Sequence, residues 1–313
     1  MTLKTLILSL FTLTTLNCMD TNTRQKRIKR DSPPEYFFEG KDLEMAQAIY
    51  KGDIVAIESL IKNKHFEVNK RGNKLKQGNK GSIRYTYLGY AVQVGEVKAA
   101  EKLLELGADP DLINDEGALW ANINIACDFK NKEMIHLLVK YKENLNPALT
   151  RSPLGDLLMG DNVDKELLEL LLANGANINH QGYIGGDTAI IKALNTNKFD
   201  YVNYFLDKGA DPTLFDSSGN NLASLVQDEI NEGRLSDYGL KEYNNLKKRL
   251  TNEFKVEFPV KSDVKKGVAM AIARYENLSQ ADKDFVGKDE ADRIKTMKDE
   301  LEEALKKEST SQR

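Results

Sequence analysis

The chain has 313 residues, of which 41% are apolar and 30% charged, with 7 Pro, 21 Gly and 2 Cys. That composition excludes a disordered or collagen-like chain. Two cysteines also cannot build a disulfide scaffold or a four-thiolate zinc site. The net charge of −3 conceals an uneven spread: residues 18–84 hold 15 Lys/Arg against 9 Asp/Glu, and residues 85–313 hold 29 against 39. An acidic body repels phosphate backbones, so no nucleic-acid partner is expected.

The chain opens with a charged start, Met1–Lys4, and then an apolar run, Thr5–Leu16, with Cys18 just beyond it. A run of twelve residues falls short of the roughly 20 needed to cross a bilayer as a helix, which excludes a polytopic membrane protein. The order of charge, short apolar core and processing point is that of a secretory signal over residues 1–17. It resembles a bacterial lipoprotein signal, in which the cysteine becomes the acylated first residue; Thr15 and Asn17 depart from that pattern. The resemblance implies lipidation at Cys18 and a place in the cell envelope, as an outer-membrane or periplasmic lipoprotein. Plain export and an uncleaved, cytosolic N-terminus are the alternatives. Residues 18–38 are expected to be a basic tether, with Arg24, Lys26, Arg27, Lys29 and Arg30 ahead of Pro33-Pro34. It is either drawn to anionic lipids or merely solvated.

A period of 33–34 residues then dominates. Leu103-Leu104-Glu105-Leu106-Gly107-Ala108-Asp109-Pro110 returns as Leu171-Leu172-Ala173-Asn174-Gly175-Ala176-Asn177 and as Phe205-Leu206-Asp207-Lys208-Gly209-Ala210-Asp211-Pro212. A degenerate copy, Leu138–Asn146, fills the gap, with Glu143 where the others have Ala. Upstream of the copies lie Thr86-Tyr87-Leu88-Gly89, Ser152-Pro153-Leu154-Gly155 and Thr188-Ala189-Ile190-Ile191, while Ala121-Asn122-Ile123-Asn124 serves the third. This pattern resembles the ankyrin-repeat family. The resemblance implies an all-α fold, an ankyrin-repeat solenoid of about five to six repeats spanning 39–253. The repeats are placed at 40–69, 85–114, 115–147, 150–180, 183–213 and 216–253. Thr86, Ser152 and Thr188 are suited to cap first helices. Pro153 suits a first turn. Gly95 and then Gly107, Gly175 and Gly209 suit helix ends. The leucine pairs are expected to face neighbouring repeats.

Residues 254–313 leave the period. Val264, Val268, Ala271, Ile272 and Tyr275 share one helical face, and Ile294, Met297, Leu301 and Leu305 another. They predict a C-terminal helical pair and a frayed tail, either docked on the last repeat or standing as a separate hairpin. Ser279 and Asp282 suggest a capping box between them.

No chemistry stands out. There is no Gly-rich phosphate loop in a strand–loop–helix setting and no G-x-S-x-G elbow. His65, His136 and His180 are far apart in sequence, Cys127 reads as a small core residue, and paired acids such as Asp115-Glu116 sit at turns. No metal, cofactor or enzymatic activity is expected. Recognition is left. The insert between the first two repeats, 70–84, carries Lys70, Arg71, Lys74, Lys76, Lys80 and Arg84 without an acid, and Tyr85 and Tyr87 follow. It is either a basic finger for an acidic partner or lipid head groups, or a solvated insertion. Trp120 and Tyr183 sit at turns, as residue types that dominate interfaces. They are contact candidates or gap fillers, and Phe215 is read as a filler. Residues 85–235 hold 12 Lys/Arg against 23 Asp/Glu, a surface that steers basic partners. The ankyrin resemblance implies a protein partner and a chain monomeric when free. Exported ankyrin-repeat proteins similar to this one suggest an immunity protein against a secreted antibacterial toxin such as a lipase. A periplasmic stabiliser or assembly factor and a host-directed effector are the competing readings.

Overall fold

The computed structural model describes residues 21–72, 84–114, 119–183 and 185–311. Cys18 and the finger residues Lys74, Lys76 and Lys80 lie outside them. The described residues are helical, with two isolated antiparallel bridges, Arg71 to Thr86 and Asn114 to Trp120. Two compact units result, Met1–Ala176 and Asn177–Arg313, so the division falls inside the repeat array.

The first unit begins with α1 (Thr21–Arg30) and a 3-10 turn (Pro34–Tyr36). Four helix pairs follow: α2 (Lys41–Lys51) with α3 (Ile54–Lys64), α4 (Tyr87–Val94) with α5 (Val97–Glu105), α6 (Asn122–Asp128) with α7 (Lys132–Lys140), and α8 (Pro153–Leu157) with α9 (Lys165–Ala173). First helices touch first helices in succession, and second helices touch second helices. Leu88, Ile123 and Leu154 of the first row and Leu103, Leu138 and Leu171 of the second are buried, so the core runs along the seam. Leu172, expected in the seam beside Leu171, is only half-buried.

The second unit holds two more pairs, α10 (Ala189–Asn195) with α11 (Phe199–Asp207) and α12 (Leu222–Glu232) with α13 (Asp237–Phe254). After them come α14 (Val264–Glu276), α15 (Gln280–Val286) and α16 (Lys288–Ser311). The helix pairs, their spacing and their row-on-row contacts make this an all-α fold of ankyrin-type repeats. The tail differs from the expected pair with a frayed end. It has three helices, and α16 stays helical through Ser311. The tail docks on the turn of the last repeat: Asp263 N donates to Gly219 O at 2.7 Å, and Arg274 Nη2 donates to Ser217 Oγ at 2.6 Å. Ile294 is buried, whereas Val264 and Leu305 turn outward.

Local chemistry explains the helix limits. Thr86 Oγ1 accepts from Gly89 N at 2.9 Å and Thr188 Oγ1 from Ile191 N at 3.4 Å, as capping demands. Ser152 makes no such bond; there Pro153, which lacks an N–H, opens the helix instead. Three second helices, α3, α7 and α9, take Asp53, Asn131 and Asp164 as side-chain caps. At the end of α5, Gly107 has φ +92°, a conformation that costs glycine little. The third repeat must put Lys142 at that place, with φ +59°. Adjacent turns are linked by side-chain acceptors. Asn69 Oδ1 accepts from Asp109 N at 2.8 Å and Asp111 Oδ1 from Asn144 N at 2.7 Å. In the second unit Asn179 Oδ1 accepts from Asp211 N at 2.8 Å.

The segment expected as a free tether is folded. Phe38 is 1% exposed, its ring 5.8 Å from Tyr87 and 5.1 Å from Tyr90 by centroid, and Tyr90 Oη donates to Ser32 O at 2.9 Å. Aromatic residues close to the prolines supply the apolar surface that a tether would lack. Ahead of them α1 lies against α4 with Ile28 buried, and Lys29 pairs with Glu96 at 2.5 Å.

Truncation of the seam tests its weight. Leu103→Ala should cost about 2–5 kcal/mol in urea denaturation, because neighbouring rows cannot close the cavity. Lys142→Gly should instead stabilise by up to about 1 kcal/mol, by relieving the left-handed lysine.

Candidate functional site

The expected aromatic base of the basic finger is corrected by the structure. Tyr85 and Tyr87 are 4% and 0% exposed, so neither can meet a partner. Tyr85 Oη donates to Gln93 Oε1 at 3.0 Å, and Tyr87 Oη donates to Asp42 Oδ1 at 2.8 Å. Burial pushes both phenols well above their ordinary range. The alternation Tyr85-Thr86-Tyr87 begins a first helix, and residues at such starts point into the seam. Of the insert's cations, Lys70 pairs with the buried Asp42 at 2.7 Å and Arg71 Nε donates to Ile113 O at 3.1 Å. The first end of the insert is thereby tied to the body, and Arg84, at its other end, is half-buried.

Tyr183 is half-buried within its own unit. Its hydroxyl accepts from Arg293 Nη2 at 3.1 Å, and its ring lies 6.0 Å from that of Tyr275. The C-terminal helices thus already use this residue. Phe215, read as a gap filler, is half-buried with Lys266 Nζ 5.1 Å from its ring centroid.

Trp120 is half-buried. It is fixed by the bridge to Asn114, with Asn114 N donating to Trp120 O at 2.8 Å and Trp120 N to Asn114 O at 3.1 Å. The Arg151 guanidinium lies over its ring, 4.4 Å from the centroid. Arg151 keeps 43% of its side chain exposed while it pairs with Asp156 and lies 3.8 Å from Asp128. A Trp and an Arg from neighbouring repeats therefore share one surface position. The sequence pointed to Trp120; it held no signal for Arg151, whose place depends on a fold of the chain 31 residues further on.

Beside this pair lie two sets of hydrogen-bonded polar groups, one around Asn114 and one around Asn124. Asn114 Oδ1 accepts from Thr86 N at 2.9 Å, and Asn114 Nδ2 donates to Asn122 Oδ1 at 2.9 Å. Asn124 Nδ2 donates to Asp156 Oδ2 at 2.7 Å, and Thr150 Oγ1 donates to Asn124 Oδ1 at 2.6 Å. Paired amides are affordable inside a core because each polar group has a partner. Glu143, in the slot that other repeats give to Ala, reaches back so that its Oε1 accepts from Ile123 N at 2.6 Å. It caps α6, whose Ala121 has no side chain to do so.

Burial raises the pKa of Asp156 to about 7 in spite of the adjacent Arg151, and pushes the Glu143 carboxyl and the Cys127 thiol well up. All three are closed off from solvent. Of the histidines, His65 and His136 are exposed and His180 is buried. Among the described residues no cluster of His, Cys, Asp and Glu could hold a metal ion, and no helix is long and apolar enough to cross a membrane.

With that geometry in place, the comparisons can be stated. No family model matches the chain. A curated L-asparaginase of Dirofilaria immitis is 34% identical over 128 residues, 40% of this chain and 21% of that protein. The chain therefore spans about a fifth of the length of that relative. Among solved structures, the ankyrin repeat domain of Bcl-3, described as a unique member of the IkappaB protein family, is similar at a TM-score of 0.48. It shares 21% identity, over 63% of this chain and 89% of its own. The human ASB11 ankyrin repeat domain gives a TM-score of 0.46 and 21% identity, over 72% of this chain and 96% of its own.

The raised carboxyl groups have a consequence for stability. A buried acid with a raised folded pKa binds its proton more tightly in the folded state, so its contribution is complete below the unfolded pKa and is lost as pH rises toward the folded one. The melting temperature should fall between about pH 4 and 7, and Asp156→Asn should flatten that slope in a pH series of thermal melts.

Proposed function

We propose that the chain is a binding protein, not an enzyme, and that it grips a protein partner through the face carrying Trp120 and Arg151. One observation carries this reading: a half-buried Trp120 and a partly exposed Arg151, drawn from two adjacent repeats, stack on one another and are held by hydrogen-bonded and ion-paired neighbours, Asn114 and Asp156. Trp and Arg are the side chains that most often dominate interface energies, and a pre-ordered pair loses little entropy when a partner arrives. The acids and the thiol whose pKa burial raises, Asp156, Glu143 and Cys127, sit inside the core, closed off from solvent. The excess of acids over residues 85–235 supports a partner with a basic contact patch.

The chemistry of the first eighteen residues adds an address to this reading. Charge, a short apolar run and Cys18 support export and acylation, which would hold the binding face at the surface of the cell envelope. The partner is then a secreted antibacterial toxin such as a lipase, and the chain is its immunity protein. The insert cations Lys74, Lys76 and Lys80 contribute steering toward acidic features of that partner or of the membrane.

Deleting the chain should leave producing cells poisoned beside siblings that release the co-encoded toxin; undisturbed growth would overturn the immunity role. Trp120→Ala should weaken capture of that toxin at least tenfold without changing the circular dichroism spectrum, and unchanged affinity would remove Trp120 from the interface. Palmitate should label the wild type and not Cys18→Ser. The purified chain should release no ammonia from asparagine, and turnover there would refute a purely binding role.

A further inference from the structure

We propose that the C-terminal ends of α2, α4 and α6 form a docking strip for a basic amphipathic helix, and that α1 is its intramolecular, displaceable occupant. The strip follows from the repeat. Three consecutive first helices end side by side, and each carries a partial negative charge at its C-terminus, where cations are favoured. Tyr50 lies in the last turn of α2, Gln93 near the end of α4 with Glu96 just beyond, and Phe129 at the end of α6.

α1 places a matching set of side chains on it. Lys29 Nζ lies 2.5 Å from Glu96 Oε1 and 4.9 Å from the centroid of the Tyr50 ring. Gln25 Nε2 reaches Gln93 O at 3.5 Å, and the Arg24 guanidinium lies 5.9 Å from the Phe129 ring centroid. Arg24, Gln25, Ile28 and Lys29 recur at the i, i+1, i+4, i+5 spacing of one helical stripe, and each of the three helix ends receives one or more of them.

The occupant is thinly held. Ile28 is its one buried apolar side chain among those described, Lys26 and Arg30 are exposed, and Arg24 Nε is buried without a hydrogen-bond partner. The chain just after it is anchored, through Ser32 and Phe38. α1 is therefore a weak ligand kept close by its own attachment, which gives it a high effective concentration over the strip. A partner helix with Lys or Arg at positions i and i+5 and an aliphatic residue at i+4 makes the same contacts, and a more apolar one displaces α1. This strip is distinct from the Trp120–Arg151 face and does not depend on where the chain resides.

The test uses the full chain and a fluorescein-labelled peptide of residues 21–32, read by fluorescence anisotropy. Ile28→Glu removes the buried contact of α1 and vacates the strip, while the anchored Phe38 keeps the fold, checked by circular dichroism. The peptide should bind Ile28→Glu at least tenfold more tightly than wild type, and adding Glu96→Lys should cancel the gain. Equal affinity for wild type and Ile28→Glu, or a gain that survives Glu96→Lys, overturns the proposal. Hydrogen exchange on the wild type gives a second reading. The α1 amides should exchange at least 100-fold faster than those of α4, and equal protection means that α1 is a fixed part of the fold and not a displaceable occupant.

Discussion

Except for α13, the helices of the repeats are too short to stand alone. α6 and α10 have seven residues each and α8 has five, whereas an isolated helix in water needs roughly 12–15 to be even marginal. Every other feature follows from that limit. Each pair must bury its apolar face against a neighbour, so the stability of the chain resides in shared seams and not within any one element. The same limit explains why helix ends are so carefully furnished. With few internal hydrogen bonds, the unsatisfied amides and carbonyls of the termini are a large fraction of the total.

The third repeat shows how far the pattern bends before it fails. It has no threonine at the helix start and no glycine at the helix end, and it places a carboxylate where its neighbours place alanine. The structure answers with compensations in the same few residues. Glu143 uses its extra length to cap α6, Lys142 accepts a left-handed backbone, and Asn122 and Asn124 pair with Asn114 and Asp156 respectively. These substitutions give the middle of the first unit a polar interior, and the Trp120–Arg151 pair stands directly above it.

Periodicity made the helix pairs legible, because glycine, threonine and leucine at fixed offsets each answer a local demand: a left-handed turn, a cap, a seam. What stayed hidden depended on long-range placement. Tyr85 and Tyr87 look like surface aromatics beside a run of lysines, yet their register at a helix start turns both inward. Arg24 and Lys29 read as tether charges because the glutamate, tyrosine and phenylalanine that receive them lie as much as a hundred residues away. Arg151 was silent for the same reason. Helical periodicity indicated the C-terminal faces, but it could not tell that Gly267 comes so close to Gly219 that an added methyl group would lie 2.2 Å from the Gly219 nitrogen.

Cys127 has a use beyond packing. Its thiol is sealed in the last turn of α6, and burial holds it in the unreactive protonated form. The folded protein is therefore indifferent to oxidants and alkylating agents at this position, and only an opening of the third repeat exposes the sulfur. The rate at which Cys127 takes up a thiol reagent is thus a native clock for how often this most substituted part of the array comes apart, with no label engineered into the chain.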